Sequence, residues 1–301
     1  MTPQRFTLRA GALALDVLPA VGGSIARFDI LGPAGRQPLL RGTDENYVDV
    51  LASACFPLVP YANRIRGGRF QCDGRAIHLA CNLPGDASPL HGQGWRAAWS
   101  VEHAQEDGID LLYRHAADEW PWTYASRQRI SLSPEACTVT LDCRNLSDRP
   151  MPCGLGLHPY YPCTPQTLLD TDVSHVWSVD ADVLPVDRLS ATAAYSLQNR
   201  LICGQNLDNG FDGWSGKTRI AWPERGVSLE LSSPDTPYFQ VYSPDSPENR
   251  GFFAAEPVQH ANAALNAPQA QWRQLGIQML APGESRQLVS RFTVLGQAPS
   301  E

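Results

Sequence analysis

The chain has 301 residues, of which 43% are hydrophobic and 18% charged, so it is long and apolar enough to bury a large core. Its net charge is −7 and Lys217 is the only lysine, which argues against nucleic-acid binding because phosphate contacts need clustered basic side chains. No run of eighteen apolar residues occurs, so we expect no membrane-spanning helix and no membrane partner.

Short alternating runs separated by turn residues predict antiparallel β strands along most of the chain. In the run 136–144, Val139, Leu141 and Cys143 fall on one face and polar residues fall on the other. Four such segments are predicted: a hairpin of 69–72 with 76–79, a hairpin of 127–132 with 136–144, a hairpin of 218–222 with 227–231, and a final run from 286 to 295.

Little helix is expected, because no long segment keeps a period of about 3.6 residues. Asp44 to Ala54 and Gln259 to Gln271 are predicted to hold only short helical turns. Neither an internal repeat nor a change in composition divides the chain. We therefore predict an all-β protein, mostly antiparallel and closed as a sandwich, with residues 1–301 forming a single domain.

Cysteine usage and the lack of familiar motifs argue against a metal or a cofactor. The eight cysteines form no CxxC pair and show no zinc-ligand spacing, so we expect free thiols in a reducing cytoplasm. No apolar signal core follows Met1, which favours a cytoplasmic location. The sequence has no GxxxxGKS/T, GxGxxG, GxSxG or HExxH motif, so neither a nucleotide cofactor nor a catalytic metal is predicted.

Two polar clusters in the first third of the chain are candidates for ligand binding. Asn63 and Arg64 come just before a turn that opens a hairpin. Arg64 has a planar, permanently charged pair of donors for ligand oxygens, although a surface arginine that caps carbonyl groups would look the same. His91 is followed by glycine, and the nearby Trp95 has an aromatic face that can stack on a sugar. A turn with a hydrogen-bonded histidine is the alternative.

Two later clusters are candidates for acid–base chemistry. His158 follows an apolar, glycine-containing strand and precedes Pro159, which is expected to end regular pairing. Its ring suits a general acid or base, with a structural hydrogen bond as the alternative. Glu256 ends the apolar run 251–255, where burial would raise its pKa, although a salt-bridging role fits as well. Asp208 is placed in a turn formed by 207–211.

Taken together, these clusters resemble the aldose 1-epimerase (galactose mutarotase) family. The likeness extends from Gly22-Gly23 to the last strands. Because each motif is short, the specificity of the resemblance comes from the order of the motifs along the chain. In chain order, the motifs are Asn63-Arg64-Ile65, His91-Gly92, His158-Pro159-Tyr160, Asp208 and Glu256-Pro257.

The resemblance implies a galactose mutarotase-like β supersandwich that interconverts the α and β anomers of a free aldose without a cofactor. Glu256 would be the general base for the anomeric hydroxyl, and His158 the general acid for the ring oxygen. His91 would be the second active-site histidine. The substrate-binding residues expected from the motifs and their surroundings are Arg64, Asp208, Asn63, Trp95 and Tyr160.

Three other functions remain open at this point. Arg66 and Arg69 stand close to Arg64 in the sequence, and such a triplet could hold the phosphate of a hexose 6-phosphate. A non-catalytic carbohydrate-binding protein is a second option. A glycosidase that uses Asp208 and Glu256 as its two carboxyl groups is a third. The expected partner is a small monosaccharide, and the chain is expected to be a monomer or a homodimer.

Overall fold

Two large antiparallel sheets make up most of the protein in this computed structural model, which describes residues 3–33, 35–43, 49–246 and 251–296. The first sheet has eleven strands in the order β1 (Phe6–Ala10), β2 (Leu13–Leu18), β3 (Ser24–Gly32), β5 (Cys55–Leu58), β13 (Gly156–Pro162), β22 (Phe252–Val258), β21 (Tyr238–Ser243), β18 (Leu207–Asp212), β15 (His175–Val179) and β16 (Pro185–Ser190), with β4 (Gly35–Pro38) also beside β3. The second sheet has nine strands in the order β17 (Arg200–Leu201), β14 (Leu168–Asp170), β19 (Lys217–Trp222), β20 (Val227–Ser232), β24 (Ser285–Leu295), β11 (Ala136–Asn145), β10 (Tyr124–Leu132), β9 (Gly108–His115) and β8 (Ser100–Gln105).

Smaller elements fill the connections. Two further sheets have two strands each, β6 (Arg69–Cys72) with β7 (Arg75–His78), and β12 (Met151–Cys153) with β23 (Gln278–Leu280). The helical elements of the described residues are single 3₁₀ turns: Val50–Ala52, Arg66–Gly68, Gly94–Arg96, Ala193–Tyr195, Pro223–Arg225, Ala264–Asn266 and Gln269–Gln271. Within the described ranges, no helix is long and apolar enough to cross a membrane.

The predicted all-β, mostly antiparallel fold with little helix is confirmed. All four predicted strand segments are present close to their expected bounds, as the three hairpins β6–β7, β10–β11 and β19–β20 and as β24. In β11, Val139, Leu141 and Cys143 are fully buried, as the alternation predicted. The short turns predicted around 50–54 and 259–271 are also found, whereas 44–48 lie outside the described residues.

The two sheets pack face to face, and this leaves the other face of the first sheet free to carry polar groups. Phe239, Val241 and Phe253 project from β21 and β22 into the core shared with the second sheet. Because side chains alternate along a strand, their neighbours Gln240 and Glu256 project from the opposite face. That opposite face carries a separate apolar cluster, which includes aromatic residues from several strands and loops.

Two expectations about the fold are wrong. Cys163 and Cys203 form a disulfide, so only the other six cysteines are free thiols. Their spacing of 40 residues gave no sign of this, because the fold brings the end of β13 close to the segment after β17. Asp208 lies within β18 rather than in a turn, because Leu207, Asn209 and Phe211 alternate with it and are buried in the sheet.

Candidate active site

A row of cross-strand neighbours runs across the first sheet on the face turned away from the shared core. Phe56 of β5 pairs with His158 of β13, Glu256 of β22 pairs with Gln240 of β21, and Gln240 pairs with Gly210 of β18. His158 and Glu256 join the two halves of the row, since His158 Nε2 lies 3.3 Å from Glu256 Oε1. The sheet therefore places an imidazole and a carboxyl group side by side.

Two prolines loosen the sheet where this pair lies. β13 pairs with β22 at Gly156 and again from Tyr160 onward, with no pair between those points. Pro159 and Pro257 lack the N–H that a ladder bond needs, and each directly follows one member of the pair. The expectation that Pro159 ends regular pairing is wrong, because Pro159 still pairs with β5 and the pairing of β13 with β22 resumes at Tyr160. Glu256 lies inside β22.

Aromatic rings hold His158 in place. Phe56 stacks on its ring with centroids 4.6 Å apart and an interplanar angle of 23°. Tyr160 lies on the same side of β13, with its centroid 4.5 Å from that of His158. The guanidinium of Arg41 lies 3.9 Å from the centre of the Tyr160 ring and donates to the Ser53 carbonyl oxygen at 2.8 Å. Tyr160 has 6% of its surface exposed and packs against His158.

The pair is almost dry, and both members are shifted toward their uncharged forms. Burial lowers the pKa of His158 to about 3, with a further contribution from the positive charge of Arg41. Burial raises the pKa of the Glu256 carboxyl well above its usual range, Asp208 raises it further, and Arg64 partly offsets both. Both shifts favour the uncharged forms, a neutral imidazole beside a protonated carboxyl. His158 Nδ1 and Glu256 Oε2 have no hydrogen-bond partner among the described residues.

His91 faces the pair from a loop. Its ring is edge-on to the His158 ring, with centroids 5.5 Å apart, and its Nδ1 accepts a hydrogen bond from the Asn63 backbone N–H at 3.0 Å. Burial holds the pKa of His91 well below its usual range, and the neighbouring His158, Arg64 and His260 lower it further. A neutral ring whose Nδ1 is an acceptor carries its proton on Nε2, so His91 is a neutral donor.

The loop that carries His91 depends on a close backbone approach. Gly92 has a φ of +69°, and a Cβ there would lie 2.2 Å from the Val59 carbonyl oxygen. A third histidine, His260, fastens the facing segment: its Nε2 accepts from the Ala62 N–H at 2.9 Å, and its Nδ1 lies 2.7 Å from the Ala261 carbonyl oxygen. Sequence reasoning missed His260, because a lone histidine after a strand has no distinguishing pattern.

Arg64 and Asp208 interact electrostatically with Glu256 of the pair. Arg64 forms an ion pair with Asp86, with Nη2 2.9 Å from Oδ2, and only 15% of its side chain is exposed. Asp208 accepts a hydrogen bond from Gln240 Nε2 at 2.8 Å. Burial raises the pKa of Asp208, while Arg64 and the hydrogen bond from Gln240 act in the opposite direction. Arg64 is thus a partly buried member of this charged group rather than an exposed arginine on carbonyl groups.

The other arginines of the predicted triplet do not converge on this group. Arg66 pairs with Asp180 at 3.1 Å and is about half exposed, and Arg69 is exposed at the start of β6. The 3₁₀ turn Arg66–Gly68 lies between Arg64 and β6, so closeness in the sequence does not bring the three guanidinium groups together. The expectation of a compact three-arginine phosphate site is not met.

Trp95 and Asn63 are both buried. Trp95 has 0% of its surface exposed, stacks on Phe56, and donates from Nε1 to the Leu90 carbonyl oxygen at 3.1 Å. This burial contradicts the expectation that Trp95 stacks on a sugar; the ring instead supports Phe56 and His91. Asn63 is also buried, and its Nδ2 has no partner among the described residues. The residues near the pair that sequence reasoning missed are Phe56, Gln240, Arg41, His260 and Trp177.

Comparison with known proteins gives a consistent family assignment. A model of the aldose 1-epimerase family matches residues 4–293. The uncharacterized protein YphB of Escherichia coli K12 is 34% identical over 288 residues, which cover 93% of this chain and 95% of that protein. A crystal structure of a candidate aldose 1-epimerase from Escherichia coli K12 has a TM-score of 0.88 at 30% identity, covering 98% of this chain and 99% of that one. A galactose mutarotase-like protein from Clostridium acetobutylicum has a TM-score of 0.83 at 16% identity, covering 97% and 95%.

The protonation of the buried histidines can be checked directly. We expect His91, His158 and His260 to stay neutral between pH 8 and about 5, because burial lowers the pKa of all three, to about 3 for His158 and about 4 for His260. Nitrogen-15 chemical shifts of the imidazole rings would report this, with His91 as the Nε2–H tautomer. In the urea-unfolded control, the same rings should titrate near ~6.5. Titration of His158 or His91 near that value in the folded protein would contradict the described environment.

Proposed function

We propose that this chain, which belongs to the aldose 1-epimerase family, interconverts the α and β anomers of a free aldose by proton transfer through His158 and Glu256. The observation that carries the proposal is the buried contact between His158 Nε2 and Glu256 Oε1 at 3.3 Å. Mutarotation needs an acid and a base at one hemiacetal, and no redox or group-transfer step. The pair can act as both acid and base. Glu256 Oε2 and His158 Nδ1 are buried and have no hydrogen-bond partner among the described residues.

The reaction then follows from two coupled proton transfers, one to the base and one from the acid. The base takes the proton of the anomeric hydroxyl while the acid protonates the ring oxygen, so the bond between C1 and the ring oxygen breaks. The open-chain aldehyde rotates about its C1–C2 bond. Ring closure reverses both proton transfers and gives the other anomer, with the enzyme returned to its starting protonation state.

Family resemblance assigns Glu256 as the base and His158 as the acid, whereas burial places the proton on Glu256 in the free protein. These two forms of the pair contain the same number of protons and differ only in which residue holds the transferable proton. A sugar hydroxyl that donates to Glu256 Oε2 would stabilise the carboxylate, which lowers its pKa. We infer that substrate binding moves the proton to His158 and so prepares the pair for the reaction.

The surrounding groups suit the charge that develops on a sugar oxygen. His91, with its proton on Nε2, is a neutral donor beside the pair and does not compete for the transferred proton. Asp208 and Arg64 are an acceptor and a donor suited to the sugar hydroxyls, and Asn63 Nδ2 is a further unpartnered donor. A dry, preorganised set of this kind stabilises a transient oxyanion more strongly than water does.

The three other functions receive less support. Arg66 and Arg69 point to different surroundings, which removes the reason for a 6-phosphate substrate. A binding protein has no need of a buried imidazole–carboxyl pair with shifted pKa values. A glycosidase needs two carboxyl groups as its acid and base, whereas the ionisable partner in direct contact with Glu256 is a histidine, with His158 Nε2 3.3 Å from Glu256 Oε1.

Removing either member of the pair should abolish most of the activity. Glu256→Gln keeps the shape but cannot exchange the proton, so kcat should fall roughly 10²–10⁴-fold, and His158→Asn should have a similar effect. Polarimetry of a freshly dissolved anomer measures the rate. Glu224→Gln, in an exposed 3₁₀ turn, is the matched control and should retain full activity. A Glu256→Gln variant that keeps half the wild-type rate would contradict the proposal.

The pH dependence should reflect the pair as a unit. We expect kcat/KM to be bell-shaped, since activity requires one proton on the pair. On the acid side a second proton removes the base, and because burial lowers the pKa of His158 to about 3, the plateau should extend well below pH 5. On the basic side Glu256 loses the only proton, at its raised pKa. Circular dichroism at each pH controls for unfolding. An acid limb centred near ~6.5, the ordinary imidazole value, would contradict this scheme.

A further inference from the structure

Beyond the acid–base pair, the same face of the first sheet has a gap above Gly210. A Cβ at Gly210 would lie 3.2 Å from Gln240 Oε1 and 3.9 Å from Trp177 Cδ1, so both side chains border the space that the glycine leaves open. Gln240 is also the cross-strand neighbour of Glu256. The gap therefore lies on the face that carries His158 and Glu256, two strands away from Glu256.

Two buried polar atoms at this gap have no hydrogen-bond partner among the described residues. They are Gln240 Oε1, an acceptor on a side chain that is 3% exposed, and Trp177 Nε1, a donor. Buried polar atoms are nearly always hydrogen-bonded, so an unpaired donor and an unpaired acceptor around one gap indicate a ligand that satisfies both. Trp177 Nε1 is covalently bonded to Cδ1, the atom that lies beside Gly210, so the indole N–H is also close to the gap.

The orientation of the Gln240 amide follows from its second contact. Its nitrogen, Nε2, donates to the carboxylate of Asp208 at 2.8 Å. A carboxylate accepts hydrogen bonds, so the amide nitrogen belongs on the Asp208 side and the amide oxygen on the side of the gap. Asp208 thus fixes Gln240 as the acceptor that the gap presents.

We propose that the gap above Gly210 is a subsite for one substrate hydroxyl remote from the anomeric carbon, which accepts from Trp177 Nε1–H and donates to Gln240 Oε1. The inference rests on the proposed mutarotase function and deepens it by naming what the site recognises. Adjacent strands are about 4.8 Å apart, so the gap lies roughly 10 Å from Glu256 along the sheet. That distance accommodates one sugar ring with a hydrogen bond at each end.

The chemistry of the gap selects a hydroxyl over the alternatives. A hydroxyl is donor and acceptor at once, so it satisfies both protein atoms. A deoxy position leaves both unpaired, and a phosphate dianion has only acceptors and would be repelled by Gln240 Oε1. The nearest cation on the next strand, Arg188, which is the cross-strand neighbour of Trp177, is bound to both carboxylate oxygens of Asp212 at 2.7 Å. The subsite therefore favours neutral aldoses with a free distal hydroxyl.

A substrate series combined with Trp177→Phe tests the subsite. Wild-type kcat/KM would be measured for galactose and its 3-deoxy, 4-deoxy and 6-deoxy analogues, and we expect one analogue to be about 10–100-fold poorer because both hydrogen bonds are lost. Trp177→Phe removes the indole N–H and makes the side chain smaller, so kcat/KM for galactose should fall about 3–10-fold, whereas the fall for that one analogue, which forms no hydrogen bond with Trp177, should be smaller. Equal losses for all four sugars would overturn the proposal.

A second variant fills the gap without touching Trp177. Gly210→Ala places a methyl group 3.2 Å from Gln240 Oε1 and should lower kcat/KM for galactose about 10-fold or more, with thermal unfolding near wild type. Gly108→Ala is the matched control, because its Cβ would also lie 3.2 Å from a glutamine side chain, that of Gln105, at the start of β9 in the other sheet. Wild-type kinetics in the folded Gly210→Ala variant would overturn the proposal.

A binding measurement separates failure of the subsite from failure of the proposed function. The indole N–H resonance of Trp177 is identified by its absence from the Trp177→Phe spectrum. Saturating galactose should shift this resonance, and the one discriminating deoxy sugar should not. If the shift occurs without any mutarotation, the subsite stands and the catalytic proposal fails. If galactose is turned over but leaves the resonance unmoved, the subsite proposal fails and the catalytic one stands.

Discussion

Desolvation of the His158–Glu256 pair is the constraint on which the rest of the site depends. In water, an imidazole and a carboxyl group with ordinary pKa values would both be charged between about pH 4.3 and about pH 6.5. Burial penalises both charges, so the pKa of His158 falls to about 3 and that of Glu256 rises. The shifts favour the neutral form of the pair in the free protein, so a substrate hydroxyl that donates to Glu256 would be needed to favour the charged form.

The architecture maintains this dry environment at a cost in stability. The shared core of the two sheets carries most of the apolar burial, which leaves the opposite face of the first sheet free for polar groups. On that face Glu256 Oε2, His158 Nδ1, Gln240 Oε1 and Trp177 Nε1 are buried without partners among the described residues. Each such atom costs about 1–3 kcal/mol until a ligand satisfies it. The apolar core offsets that cost, and a bound sugar would recover part of it.

Local patterns were sufficient for the strands but not for the contacts across the sheet. Alternation in β10, β11, β19, β20 and β24 predicted these strands, because a two-residue period is a local property. The motifs identified His158 and Glu256, yet their distance depends on strand register, which no local pattern encodes. Asp208 was placed in a turn because Asp-Asn-Gly is typical of turns, whereas burial of Leu207 and Phe211 makes it part of β18.

The two tryptophans show the same limit. Trp95 was expected at a sugar because it follows the His91 segment, but the loop folds its ring under Phe56, where none of it is exposed. Trp177 lies in a strand without any motif around it, and its role follows only from the absence of a side chain at Gly210 on the neighbouring strand. The pairing of Cys163 with Cys203 was hidden for the same reason, since it depends on distant segments meeting.

If the His158–Glu256 pair is catalytic, the wild-type protein itself exchanges the anomers of a free aldose. Proton NMR magnetisation exchange between the α and β anomeric signals of galactose measures that rate at equilibrium. We expect exchange much faster than in buffer, at a rate proportional to protein concentration and abolished by heat unfolding of the same sample. An exchange rate equal to that in buffer, in a sample where galactose is shown to bind, would contradict it.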